Sequence, residues 1–178
     1  MNGAGAIAHV AAHSVLGGIL SAMLVAGPAI AQTKTIVRAG TWEAFGGSTS
    51  KGAALCGMST ETNTRYFSIK RVGGSDVMSV QLGTPQWKLT DGERKQVRLA
   101  FDSKAARSSA GVGMHFDDGD PGLEFAVPAA EIEEFLREFR ASSQLTIQFP
   151  DANFPDWKVP LSGSSAVADG FQQCAKRL

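Results

Sequence analysis

The chain has 178 residues, enough for one domain with a sizeable core. Lys plus Arg number 17 and Asp plus Glu number 17, so the formal net charge is zero. Neutrality, with no run of like charges, removes the electrostatic signature of a nucleic-acid binder or of a protein held to an anionic membrane.

Residues 1–31 contain no Lys, Arg, Asp or Glu. From Val15 to Ala31 the run is apolar apart from Gly, Ser and Pro. It ends in Ala29-Ile30-Ala31, a small-x-small site with Pro28 just upstream. This predicts a secretory signal peptide over 1–31, cleaved before Gln32, and one β-rich domain over 32–178. His9 and His13 stand where a leader usually carries Lys or Arg. An uncleaved anchor is the alternative, but the run is short for a bilayer core of about 30 Å and is interrupted by glycine and proline. No later apolar run approaches the roughly 18 residues of a span, so none is expected after cleavage. The address expected is periplasmic or secreted.

Thr41 to Phe45, with Trp42, and Ala53 to Ser59, with Cys56, read as early strands. Between them Ser48-Thr49-Ser50-Lys51 matches the SxxK spacing of serine acyltransferases, which need the serine to open a helix. Here it lies between Gly46-Gly47 and Gly52, a loop signature. That loop could also cradle an anion with Lys51, although the phosphate-loop order is absent.

Tyr66 to Lys70 alternates, Gly73-Gly74-Ser75-Asp76 breaks the chain, and Met78, Val80 and Leu82 resume, which predicts a hairpin. A second pair is read around Asp91-Gly92, with Trp87 and Leu89 before it and Val97, Leu99 and Phe101 after. A third is read around Asp117-Asp118-Gly119-Asp120, with Val112, Met114 and Phe116 facing the core before it and Leu123, Phe125 and Val127 after. One-sided alternation is the habit of antiparallel sheets.

Residues 128–140 change period. Ile132, Phe135, Leu136 and Phe139 form one helical stripe, with Pro128 at the first helical position. Glu131, Glu133 and Glu134 come early and Arg137 and Arg140 late, complementing the helix dipole, and Glu133 can pair with Arg137. Leu145, Ile147 and Phe149 make another strand and Trp157 to Leu161 a short last one. Over 163–176, Val167, Phe171 and Cys174 recur on one stripe, with Ser162 or Ser164 as cap and Gly170 permitting close approach to the sheet. The fold expected is an antiparallel β-sandwich or open barrel with two short helices, 128–140 and 163–176.

Cys56 and Cys174 are the two cysteines, and neither lies in a CxxC pair. In an oxidising compartment they predict a structural disulfide that staples the last helix to an early strand; two free buried thiols are the alternative.

Candidate chemistry is sparse. His115 is the one histidine of 32–178. Asp117, Asp118 and Asp120, with Glu124 near, are candidate ligands for a hard cation such as calcium, but the twelve-residue calcium-loop spacing is missing and Asp-Gly runs serve turns equally well. No cofactor fingerprint is present, and none is expected. Trp42, Trp87 and Trp157 suit a core. Phe154 and Trp157, set among prolines over 149–157, form a candidate exposed recognition loop.

The Trp-bearing strand Gly40-Thr41-Trp42-Glu43, the Cys56-Gly57-Met58 strand, the amphipathic helix before a strand, and Leu161-Ser162-Gly163-Ser164 before a short helix resemble the invasion-associated locus B family of periplasmic or surface proteins. That resemblance implies a compact β-sandwich-like domain, no catalytic residues, and an envelope role in host interaction or stress. The expected function is therefore non-catalytic binding of another envelope or host protein. A carboxylate- or metal-dependent envelope hydrolase and a carrier of a small apolar ligand under the 132–139 helix are the alternatives.

Overall fold

The computed structural model describes residues 32–178; the leader assigned to 1–31 lies outside them. Ten strands and two helices follow in chain order. They are β1 (Gln32–Ala39), β2 (Trp42–Ser48), β3 (Ala54–Thr62), β4 (Arg65–Val72), β5 (Val77–Gly83), β6 (Arg94–Phe101), β7 (Arg107–His115), β8 (Pro121–Pro128), α1 (Ala129–Ala141), β9 (Gln144–Gln148), β10 (Trp157–Pro160) and α2 (Ser164–Ala175). The strands form one sheet in the order β1-β2-β3-β4-β5-β8-β7-β6-β9-β10, with every neighbouring pair antiparallel.

The sheet does not close into a barrel, and β1 and β10 remain its edges. It curls until the turn after β1 meets the segment after β10. There the Trp42 indole N–H donates to the Pro160 carbonyl at 2.9 Å. Gly163 sits beside it with φ +87, and a Cβ there would lie 2.5 Å from the Ala39 oxygen. Only glycine satisfies both the left-handed backbone and that contact.

One face of the sheet carries the core, in cross-strand rows that follow the pleat. Trp42, Thr60, Phe67, Leu82 and Leu123 lie in register, as do Met58, Ile69, Val80 and Phe125. At the far side Leu99, Ile147 and Trp157 form a third row. Helix α1 buries Ile132, Phe135, Leu136 and Phe139 on this face. Phe139 meets Trp42 edge-on at 5.1 Å, and Phe135 meets Phe101 at 5.3 Å. These rings fill the space beneath α1 that an apolar ligand would need.

Helix α2 covers β1, β2 and β3. A Cβ on Gly170 would lie 2.6 Å from Val37, so the close approach expected from the sequence is real. Cys56 and Cys174 are bonded, with Cα atoms 5.8 Å apart across 118 positions of sequence.

Several local expectations need correction. Pro128 caps α1 from an extended conformation and does not occupy its first turn; β8 runs straight into the helix through it. Arg137 pairs with Glu134 rather than Glu133, which reaches Gln172 on α2. Neither Ser162 nor Ser164 caps α2. Gly163 holds that position, and the buried Ser164 hydroxyl turns to the Phe139 carbonyl.

Trp87 and Leu89 are in a loop, because β6 spends its two edges on β7 and β9. The inward phase of β7 belongs to Gly111 and Gly113, not Val112 and Met114. The loop lies so close over Gly113 that the two exchange backbone hydrogen bonds. Strand β1 escapes the alternation that marks the other strands because it is exposed over most of its length.

The Asp102 carboxylate, just past β6, accepts from the Ser143 N–H and hydroxyl and from the Gln144 N–H at the start of β9. The Ser143 hydroxyl bond is the main cause that holds its carboxyl below the ordinary value, and the two backbone N–H bonds add to it. A depressed carboxyl stabilises the fold above the unfolded pKa and loses that effect as pH falls through the folded one. Asp102→Asn is therefore expected to lower the urea midpoint at neutral pH, with the gap to wild type closing as pH drops below about 4. A gap that stays constant down to the acid limit contradicts this. Reduction of Cys56–Cys174 is expected to lower the unfolding free energy by about 2–5 kcal/mol in the same assay.

Candidate functional site

Among the described residues both helices lie on the core face, so the opposite face is left uncovered at its centre. Its strands present Glu43, Ser59, Ser68, Gln81, Glu124 and Val112 as one register row. The neighbouring row is Glu61, Tyr66, Gly83, Gly122 and Met114.

In the first row Ser68 donates to Gln81, and Gln81 donates to Glu124 at 3.3 Å. Ser79 also donates to Glu124. Ser68 is fully buried although both helices of the described residues lie on the other face. Burial of the Tyr66 phenol raises its pKa, against hydrogen bonds from Ser68 and Ser59 that lower it. Burial likewise holds Lys70 below its ordinary value, against the fields of Glu124 and Asp117. The Lys70 ammonium lies 6.0 Å from the Tyr66 ring centre, within cation–π range.

In the second row the two glycines make a floor for Phe116. A Cβ on Gly122 would come within 2.5 Å of that ring, and one on Gly83 would overlap it as well. Phe116 meets Tyr66 edge-on at 5.4 Å. Together they floor a depression of about 390 Å3, rimmed by Glu61, Thr64, Asp117, Asp118 and Asp120. A second depression, of about 380 Å3, adjoins Glu124 and is lined by Val77, Val112, Met114 and Ala126. Val77 and Val112 are exposed at 40% and 38%, uncommon for valines in the middle of a sheet.

The residues singled out from the sequence divide sharply. Asp117, Asp118 and Asp120 do line this face. Asp118 accepts from the Asp120 N–H at 3.0 Å, which is turn chemistry. Among the described residues no group of three or more His, Cys, Asp or Glu converges as a metal site. His115 is exposed and pairs with Asp91 at 2.7 Å. The Ser48–Lys51 stretch ends β2 and turns into β3, where Thr49 accepts from the Ala53 N–H, so no helix opens there.

Phe154 and Trp157 do not form an exposed loop. Trp157 begins β10 and is buried. Trp87 stacks on both Trp157 and Phe154 with centroids 4.9 Å apart, and only Phe154 keeps partial exposure. Aromatic area of this size is worth more buried than exposed, so the segment packs inward. Phe116, read from the sequence as facing the core with Val112 and Met114, lies instead on this face beside Tyr66, and neither ring was singled out as a site residue. The signal was Gly83 and Gly122, where strand positions without side chains leave room for a ring.

Thr64 stands at the rim. With Asn63 it makes the two-residue turn between β3 and β4, both residues having positive φ (51 and 65). That conformation suits glycine and strains a β-branched residue. Thr64→Gly is expected to raise stability by about 1 kcal/mol, read from the urea midpoint; a lower midpoint refutes the strain.

No protein-family model matches the chain, and no curated protein matches it. Among solved structures it is similar to invasion associated protein B from Bartonella henselae, with a TM-score of 0.55 and 18% identity, over 80% of this chain and 99% of that one. At that identity the likeness is one of fold.

Proposed function

We propose that this chain is a non-catalytic protein of the bacterial envelope that binds another envelope or host protein through the helix-free face of its sheet. The observation that carries the reading is that face itself. It sets the Tyr66–Phe116 floor beside the exposed Val77 and Val112, over backbone that the sheet already holds rigid. Rigid surfaces with aromatic and aliphatic patches suit protein partners, because little side-chain entropy is lost on contact. The Cys56–Cys174 bond and the likeness in fold to an invasion-associated protein support the envelope address. The filled space beneath α1 weighs against a carrier of apolar ligands, and the turn hydrogen bond that Asp118 accepts from the Asp120 N–H weighs against a metal hydrolase.

Material recovered from the envelope is expected to begin at Gln32 by intact mass and to take up no alkylating group before reduction. Used as bait in envelope extract and host-cell lysate, it should retain a partner that a Val77→Asp, Val112→Asp variant with unchanged circular dichroism loses. Equal capture by both proteins removes the helix-free face from the reading.

A further inference from the structure

The helix-free face also carries the chemistry of its partner, provided that it is the binding surface proposed above. We infer that the face takes a basic protein segment, with one Lys or Arg side chain seated over the Tyr66–Phe116 pair inside the carboxylate rim.

Charge complementarity is the first argument. The depression is lined by Glu61, Asp117, Asp118 and Asp120, with no Lys or Arg among its lining residues. Among the described residues none of these four forms an ion pair. Some acidic groups elsewhere are matched, Glu43 by Arg38, Glu93 by Lys95, and Glu131, Glu134 and Glu138 by Arg107. Four carboxylates without an ion pair thus gather beside aromatic rings, and the nearby Lys70 acts on Asp117 only through its field.

The floor is the second argument. An aromatic face attracts a cation through its quadrupole, and carboxylates at the rim add directional hydrogen bonds. Tyr66 already holds a cation within reach, the Lys70 ammonium, though Lys70 does not line the depression. The volume of about 390 Å3 accommodates a long side chain but leaves no room for a folded domain to enter. The adjoining Val77, Val112 and Met114 surface then receives apolar residues that flank the basic one.

The test uses oxidised, exported protein, labelled with nitrogen-15, and hexa-arginine as probe, with hexaglutamate as control. Hexa-arginine is expected to shift the Tyr66, Gly83, Phe116 and Gly122 amides along a saturable curve that weakens with added salt. Asp117→Asn with Asp120→Asn should weaken it by about tenfold or more, and Phe116→Leu should also weaken it while the melting curve is retained. Shifts scattered over the acidic surface, equal affinity in the Asn double variant, or equal binding of hexaglutamate each overturn the inference. A partner whose capture depends on Val77 and Val112 but resists competition by hexa-arginine overturns it too, and leaves the proposed binding face standing.

Discussion

Helix α2 reaches β1, β2 and β3 closely because Gly170 carries no side chain against Val37, and Cys174 then bonds to Cys56 on β3. The rest of the architecture depends on that contact. A sheet of ten strands that does not close has two edges and two faces to dispose of. With α2 fixed on the first three strands, α1 is left to cover the middle of the same face, and Arg140–Asp169 ties the two helices together. The two ends of the sheet meet at the Trp42–Pro160 bond and the Gly163–Ala39 contact, where the chain turns into α2. One helix therefore seals the core, draws the sheet's ends together and carries the crosslink.

Placing both helices on one face is what frees the other. A sheet side without a covering layer ordinarily becomes plain polar surface. Here it is sculpted. Glycines at positions 83 and 122 leave room for the Phe116 ring, and Ser68 and Gln81 are buried. The hydrogen-bonded row that ends on Glu124 satisfies its buried polar groups, so the face is rigid without being apolar. Such a surface presents fixed aromatic and charged groups at little entropic cost on contact, whatever meets it.

The aromatic residues show where local pattern misleads. Trp157 and Phe154 look exposed in the sequence because prolines surround them, but a ring that finds Trp87 at stacking distance is drawn in regardless of its loop context. Val112 and Met114 look buried because they alternate with polar or small residues. Gly111 and Gly113 own the inner phase, since Val97 and Leu123 crowd the first and the loop over 84–93 crowds the second. Period two in a sequence gives the repeat and leaves its phase open when one partner in the alternation is glycine.

The sequence by itself determined the local elements and their class. Hydrophobic periodicity marked most strands, the α1 stripe and the stripe that carries Cys174, because those patterns depend only on backbone geometry. The antiparallel habit was legible for the same reason, and the cysteine pair because two thiols in an exported chain meet an oxidising compartment. The tertiary structure decided the strand order, the place of β6–β8 between β5 and β9, and which face stays uncovered. It also decided that Asp117, Asp118 and Asp120 share a rim with Glu61, more than fifty residues away in the chain. Those outcomes rest on long-range pairing and on which surfaces exclude water together, and no local pattern encodes either.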